Sequence, residues 1–140
     1  MDFLDYMFEF NDDHATGTIY RYSLFETKAK IPSVVAGYKM TGIGRWAFYC
    51  GSEPDRQQAP LEEIELDEGY RFLNHGAFFG CDKLKKLVLP STLDTMYGDP
   101  FEGAGAITEI VFPNGNDSFT FDGTKLTDRS GKVYYTVEAK

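Results

Sequence analysis

Cysteine, histidine and long apolar runs are scarce in this sequence of 140 residues. It has two cysteines, Cys50 and Cys81, and two histidines. Two cysteines are too few for a disulfide framework, and neither lies in a Cys-x-x-Cys pair of the kind that binds zinc. We therefore expect two buried thiols, with a disulfide between them as the alternative. No stretch approaches the roughly 18 apolar residues of a membrane-spanning helix, so we expect no membrane insertion.

The chain also has fewer basic residues than acidic ones. Lys and Arg total 14 against 22 Asp and Glu, which gives a formal net charge of −8. Because phosphate recognition needs clustered Lys and Arg, we expect no nucleic-acid partner. The basic start, apolar core and cleavage site of a secretory signal are not found in the first residues, MDFLDYMFEFNDD. The compartment stays open between the cytoplasm and the mature or excised part of a secreted protein.

The chain is rich in aromatic residues, at 16%, and it contains a repeat. Three apolar rows recur every 23 residues: Leu61, Leu84 and Ile107; Ile64, Leu87 and Ile110; Leu66, Leu89 and Phe112. Phe78 precedes Phe101 by 23 residues and follows Phe48 by 30, because the polar segment 51–60 adds seven. An insertion that leaves the apolar spacing intact predicts a surface loop. Stacked units bury together an apolar edge that each alone would expose.

One repeat unit is most complete over residues 73–90. Its pattern, Ile-Gly-x-x-Ala-Phe-x-x-Cys-x-x-Leu-x-x-Ile-x-Leu-Pro, resembles the BspA-type (Treponema-type) leucine-rich repeat, and the segment 31–44 looks like the start of such an array. The resemblance covers roughly residues 8–121, although Pro100 and Ala104 depart from it. It implies a leucine-rich-repeat solenoid of the α/β horseshoe class with short strands. Each Ala-Phe segment is short enough to predict a single helical turn, and strand-like alternation around turn residues predicts hairpin caps at both ends.

We expect one repeat domain over residues 1–140. Residues 1–30 are predicted as an N-terminal hairpin cap, 31–113 as three repeats with the insertion at 51–60, and 114–140 as a C-terminal β-hairpin cap. A second short strand is expected at 40–43, 70–73 and 93–96. The spacing also places opposite charges on neighbouring strands: Glu62 with Lys85, Glu63 with Lys86, Lys86 with Glu109, and Arg71 with Asp94.

No catalytic constellation stands out in the sequence. His75 occupies a repeat position that Arg45 and Gly98 hold in the other units, which predicts a solvent-facing slot, and His14 falls in a predicted hairpin turn. The Asn- and Asp-rich segments 11–13 and 114–117 lack the spacing of a calcium loop and are predicted to be turns. We expect no metal and no cofactor.

Exposed aromatic residues are the predicted binding site. Trp46, Tyr49, Phe72 and Phe79 are expected to form an apolar strip, unless loops or caps cover them. The predicted function is a non-enzymatic recognition module, and the family resemblance implies a protein or cell-surface ligand, as for an adhesin. The alternatives are a carbohydrate-active hydrolase that uses a carboxylate pair, and a purely structural fragment of a longer repeat array.

Overall fold

The computed structural model describes residues 6–22, 27–48 and 61–137. Their regular structure consists of strands, and none of these ranges contains a helix that could cross a membrane. The strands are β1 (Tyr6–Phe10), β2 (Thr16–Tyr22), β3 (Lys28–Ile31), β4 (Val34–Val35), β5 (Tyr38–Ile43), β6 (Glu63–Leu66), β7 (Phe72–Leu73), β8 (Lys86–Val88), β9 (Thr95–Met96), β10 (Glu109–Val111), β11 (Phe119–Phe121), β12 (Lys125–Asp128) and β13 (Val133–Thr136).

A four-stranded parallel sheet confirms the predicted register. Its strand order is β10-β8-β6-β3, and Leu87 pairs with Ile64 on one side and with Ile110 on the other. Side chains of every twenty-third residue therefore lie next to one another, as the sequence predicts. Strand β3 was not predicted. It pairs Ala29 with Ile64 at an offset of 35 residues, so the 23-residue spacing could not reveal it.

The second strand of each repeat belongs to a six-stranded sheet in the order β1-β2-β5-β7-β9, with β4 also paired to β5. Strands β2, β5, β7 and β9 are mutually parallel. Leu73 pairs with Ile43 and with Met96, at the predicted offsets of 30 and 23 residues. The predicted N-terminal hairpin is present as the antiparallel pair β1–β2.

The inward side chains of both sheets belong to one hydrophobic core. Leu61, Leu84 and Ile107 are 3%, 0% and 1% exposed. The residues that follow them are joined by backbone hydrogen bonds from Lys85 N–H to the Glu62 carbonyl and from Thr108 N–H to the Lys85 carbonyl, which confirms their shared interior row. The predicted phenylalanine column is also present, because the ring centroid of Phe78 lies 5.6 Å from that of Phe48 and 5.8 Å from that of Phe101. Near-parallel rings at this spacing are in stacking contact within the interior.

The Ala-Phe segments differ from the predicted single helical turns. They are hydrogen-bonded turns, in which the Ala47 N–H donates to the Gly44 carbonyl and the Ala77 N–H to the Asn74 carbonyl. Trp46 and Gly76, the residues before these alanines, have φ angles of +59° and +68°. A left-handed residue interrupts right-handed helical geometry, so each of these hydrogen bonds closes a turn of four residues.

The C-terminal residues form a three-stranded antiparallel sheet, β11-β12-β13. This sheet is fastened to the last repeat through Tyr135, whose ring centroid lies 5.4 Å from that of Phe101 and whose hydroxyl donates to the Ile107 carbonyl at 2.7 Å. The Asn116 amide adds a second attachment, because its Nδ2 donates to the Leu93 carbonyl at 2.8 Å. Asn116 lies in the segment 114–117, which the sequence predicts to be a turn and which lies between β10 and β11.

Charge pairs across the strands follow the same register. Arg71 and Asp94 form an ion pair at 2.7 Å, and Lys86 and Glu109 form one at 3.9 Å, both as predicted. Glu63 lies opposite Lys86 in the strand pairing. Exposed pairs of this kind contribute little energy, and their value here is as an independent check on alignment.

Two ion-pair positions differ from expectation. Glu62 and Lys85 are joined through the backbone, since the Lys85 N–H donates to the Glu62 carbonyl at 2.8 Å, and among the described residues no side-chain ion pair connects them. Lys30 on the unpredicted strand β3 contacts Glu65 at 3.6 Å. The pairing of β3 with β6 therefore has its own cross-strand ion pair.

Candidate functional site

An open groove with a volume of about 970 Å³ crosses the outward face of the six-stranded sheet. Strand alternation creates this face: Ile19, Leu73 and Met96 point into the core, so their neighbours Tyr20, Phe72 and Thr95 line the groove. The groove thus draws its side chains from consecutive repeats and from the N-terminal hairpin.

Hydroxyl and amide groups form the polar part of the groove beside the hairpin turn. The Asn11 Nδ2 donates to Thr16 Oγ1 at 2.8 Å and to Thr41 Oγ1 at 2.9 Å, while its Oδ1 accepts from the Thr18 hydroxyl at 2.6 Å. This network ties the hairpin to β5 and holds the groove wall in place. It satisfies the Thr18 hydroxyl, which is otherwise buried.

Acidic side chains line the groove on the hairpin side. The backbone N–H groups of Thr16 and Ala15 donate to the Asp13 carboxylate, both at 2.9 Å, and these bonds hold the pKa of Asp13 below its usual value of 3.8. The Glu9 and Asp12 side chains are exposed beside it, and neither forms an ion pair within the described part of the chain. The hairpin side therefore carries fixed negative charge at neutral pH.

Aromatic rings also line the groove. The Phe72 ring lies directly over Gly42, where a Cβ atom would come within 2.1 Å of its carbons. Its centroid is 5.9 Å from that of Tyr97 in an edge-to-face arrangement. Tyr97 is 54% exposed, and on β2 Tyr20 is 39% exposed. Two tyrosine rings are thus available to a ligand within the groove.

Arg71 and Asp94 both line the groove and form an ion pair at 2.7 Å. Partial burial raises the pKa of Asp94, but hydrogen bonds from Arg71 and Thr95, with the positive charge of Arg71, outweigh it and hold that pKa below 3.8. The same contact raises the pKa of Arg71. Both groups are charged, so the pair adds no net charge to the groove.

The structure describes three of the four residues of the predicted aromatic strip, and they belong to two ring pairs. Trp46 stacks on Phe79 with centroids 5.4 Å apart and is 44% exposed, whereas Phe72 lies in the groove against Tyr97. Tyr49 lies outside the described residues. Arg45 connects the two parts, because it lines the groove and its guanidinium carbon lies 5.3 Å from the Trp46 ring centre.

The sequence prediction missed Tyr20 and Tyr97 as groove residues. Tyr20 lies in the outward phase of a strand that alternates with Ile19, which is the signal that was available. Tyr97 directly follows the buried Met96, so the same alternation indicated its exposure.

The other candidates for chemistry are His75, the carboxyl groups and the cysteines. His75 is half-buried; its Nδ1 accepts from the Asp99 N–H and its Nε2 lies 2.9 Å from Glu102, so it links two repeats. Wherever a carboxyl pKa in the described ranges departs clearly from its usual value it is lowered, whereas a glycosidase general acid needs a raised one. Those ranges contain no metal-ligating cluster. Cys81 is buried, and Cys50 lies outside them.

Comparisons with known proteins agree with this architecture. The profile of a family described as "BspA type Leucine rich repeat region" matches residues 56–128 in six copies. The chain is similar to the T. pallidum leucine-rich-repeat protein TpLRR, with a TM-score of 0.69 and 23% identity over 84% of this chain and 52% of that one. It is also similar to a leucine-rich cell surface protein of Faecalibacterium prausnitzii A2-165, with a TM-score of 0.61 and 24% identity over 76% of this chain and 31% of that one.

The chain spans about half the length of the first of these structures and about a third of the second. At these identities the likeness shows a shared fold. A comparison with curated proteins gives no significant match.

Proposed function

This chain belongs to the BspA-type leucine-rich-repeat family, and from that premise we propose that it is a non-enzymatic module that binds another protein. The observation that carries the proposal is the groove of about 970 Å³ with exposed tyrosine rings. Tyrosine, tryptophan and arginine are the residues that most often dominate binding energy at protein interfaces. All three occur in or beside this groove.

We propose that the contact surface is the groove together with the Trp46–Phe79 pair. Phe72 contributes from inside the groove and Arg45 joins the two parts. Tyr49 is included as a sequence prediction. This proposal is supported by the close packing of Trp46 against a glycine, because a Cβ at Gly76 would lie 2.7 Å from the Trp46 ring. Rings seated in this way are rigid before a partner arrives, which reduces the entropy lost on binding.

The architecture proposed with this function is a short solenoid of the horseshoe class, forming one domain with hairpin caps at both ends. It is supported by the 23-residue register of the parallel strand pairs in two sheets and by the attachment of Tyr135 to the last repeat. An adhesin-like role at a cell surface is the setting that we propose, because the similar F. prausnitzii protein is described as a cell surface protein.

Selection of random displayed peptides tests the proposal without assuming a partner. Twelve-residue peptides would be selected against the full chain and their affinities measured for Tyr20→Ala and Tyr97→Ala. Val133→Ala is the control, because Val133 is exposed to a similar degree, 44%, but lies on the C-terminal sheet. We expect selected peptides to lose about tenfold in affinity with each tyrosine variant, which corresponds to about 1.4 kcal/mol.

Two results would overturn the proposal. The first is a selection that enriches no peptide at all. The second is a set of peptides that bind the tyrosine variants and the Val133 variant equally well. Tyr20 and Tyr97 are exposed, so we expect their variants to remain folded. Unchanged melting temperatures would show this.

A further inference from the structure

We propose that the groove receives an extended segment of a partner protein that is rich in lysine or arginine. This inference rests on the proposed function and specifies the chemistry of the partner.

The charge of the groove is the first argument. Four carboxylates line it, Glu9, Asp12, Asp13 and Asp94, against the two guanidinium groups of Arg45 and Arg71. The Arg71–Asp94 pair is self-contained at 2.7 Å, which leaves three carboxylates on the hairpin side against Arg45. The whole chain carries a net charge of −8, so its field also attracts cations. Complementary charge steers a basic segment to this face and disfavours an acidic one.

Exposed aromatic faces within the same groove are the second argument. A lysine or arginine above a tyrosine ring gains a cation–π interaction, and Tyr20 and Tyr97 both present rings to solvent. The chain makes such contacts internally, with Arg45 5.3 Å from the Trp46 ring and Lys132 Nζ 4.7 Å from the Tyr134 ring. One groove thus supplies both carboxylates and rings for the side chains of a basic segment.

The dimensions favour an extended segment. The groove crosses four neighbouring parallel strands, β2, β5, β7 and β9. Adjacent strands lie about 4.8 Å apart, so the crossing is about 14 Å long. An extended chain advances about 3.3 Å per residue, and four to five residues therefore span it. Alternate side chains of such a segment would face the groove.

The test uses three synthetic ten-residue peptides of equal length: alternating Lys-Thr, Gln-Thr and Glu-Thr. Fluorescence anisotropy would measure their binding to the full chain at low and at physiological salt. We expect the Lys-Thr peptide to bind at least tenfold more tightly than the Gln-Thr peptide at low salt, and the Glu-Thr peptide not to bind. Salt should weaken the Lys-Thr complex, because the carboxylates are solvent-exposed.

Two double variants separate the groove from the general charge of the chain. Glu9→Gln with Asp12→Asn removes two groove carboxylates, and Glu62→Gln with Asp82→Asn removes two exposed carboxylates that do not line it. Both change the net charge equally. We expect the groove variant to weaken Lys-Thr binding about five- to tenfold and the control variant to change it less than twofold.

Equal weakening by both variants, or no binding of the Lys-Thr peptide at low salt, would overturn the inference. If the Gln-Thr or Glu-Thr peptide binds more tightly and loses affinity with Tyr97→Ala, the basic partner is excluded while the groove remains a binding site. The proposed function itself falls only if the displayed peptides fail as described above.

Discussion

Replacing Phe78 by alanine tests the aromatic column at its centre. Phe78 is fully buried, and its ring lies between those of Phe48 and Phe101, with centroids 5.6 and 5.8 Å away. Returning a buried phenyl ring to water costs about 2–3 kcal/mol, and the cavity left behind raises the total to about 3–5 kcal/mol. Because stacked rings on both sides lose their partner, we expect about 4–5 kcal/mol.

Phe79→Ala is the matched control, since it removes the same ring from the next residue. Phe79 is half-buried and stacks on Trp46 near the surface, so we expect a loss of about 1–2 kcal/mol. Urea titrations monitored by circular dichroism would give both free energies of unfolding. In a chain of this size, about 4–5 kcal/mol corresponds to a fall in melting temperature of about 12–20 °C.

The column account is refuted if both variants lose the same small amount of stability. Unfolding of Phe78→Ala at room temperature agrees with the account, because small domains have only about 5–15 kcal/mol of stability. In that case Phe78→Leu, which keeps most of the volume, should remain folded at a smaller cost.

Three further outcomes are expected. Gly42→Ala should lower the free energy of unfolding by about 1–3 kcal/mol, because its Cβ would lie 2.1 Å from an aromatic ring. Gly105→Ala has open space around it and should be neutral or slightly stabilising in the same urea titration. Tyr135→Phe removes a buried hydrogen bond and should cost about 1–2 kcal/mol by thermal unfolding, clearly more than Tyr134→Phe, whose hydroxyl bond is 3.4 Å long. The pKa of Asp94 in the folded protein lies below its usual 3.8, so the stability that its carboxylate contributes is complete above about pH 4 and is lost as the pH falls through the folded pKa. Urea unfolding midpoints should therefore fall between pH 7 and pH 3. Asp94→Asn should make that fall smaller.

The period of 23 residues predicted much of the fold because stacked strands force equivalent residues together. Ile64, Leu87 and Ile110 are neighbours in the parallel sheet, and all three are buried. Strand β3 escaped because its offset of 35 residues breaks the period. Its sequence, Lys-Ala-Lys-Ile-Pro, nevertheless matches the end of the second repeat, Lys-Leu-Val-Leu-Pro, and that likeness was the available signal.

The binding surface was less predictable because its shape depends on the N-terminal hairpin. Strand β2 pairs in parallel with β5, and the Asn11 side chain fixes the hairpin turn against Thr41. No repeat connects these segments, so spacing could not reveal that they form one groove. Within the predicted strip, Trp46 stacks on Phe79 and Phe72 contacts Tyr97, and spacing alone could not indicate these ring partners.

The most direct test of the central claim is where a bound segment lies on the protein. A Lys-Thr peptide with a nitroxide spin label would be added to the ¹⁵N-labelled chain, and the broadening of amide signals would be mapped by NMR. The account predicts that the amides around Tyr20, Thr41, Phe72 and Thr95 broaden, because these residues line the groove. Broadening confined to the four-stranded sheet or to the C-terminal sheet would contradict it.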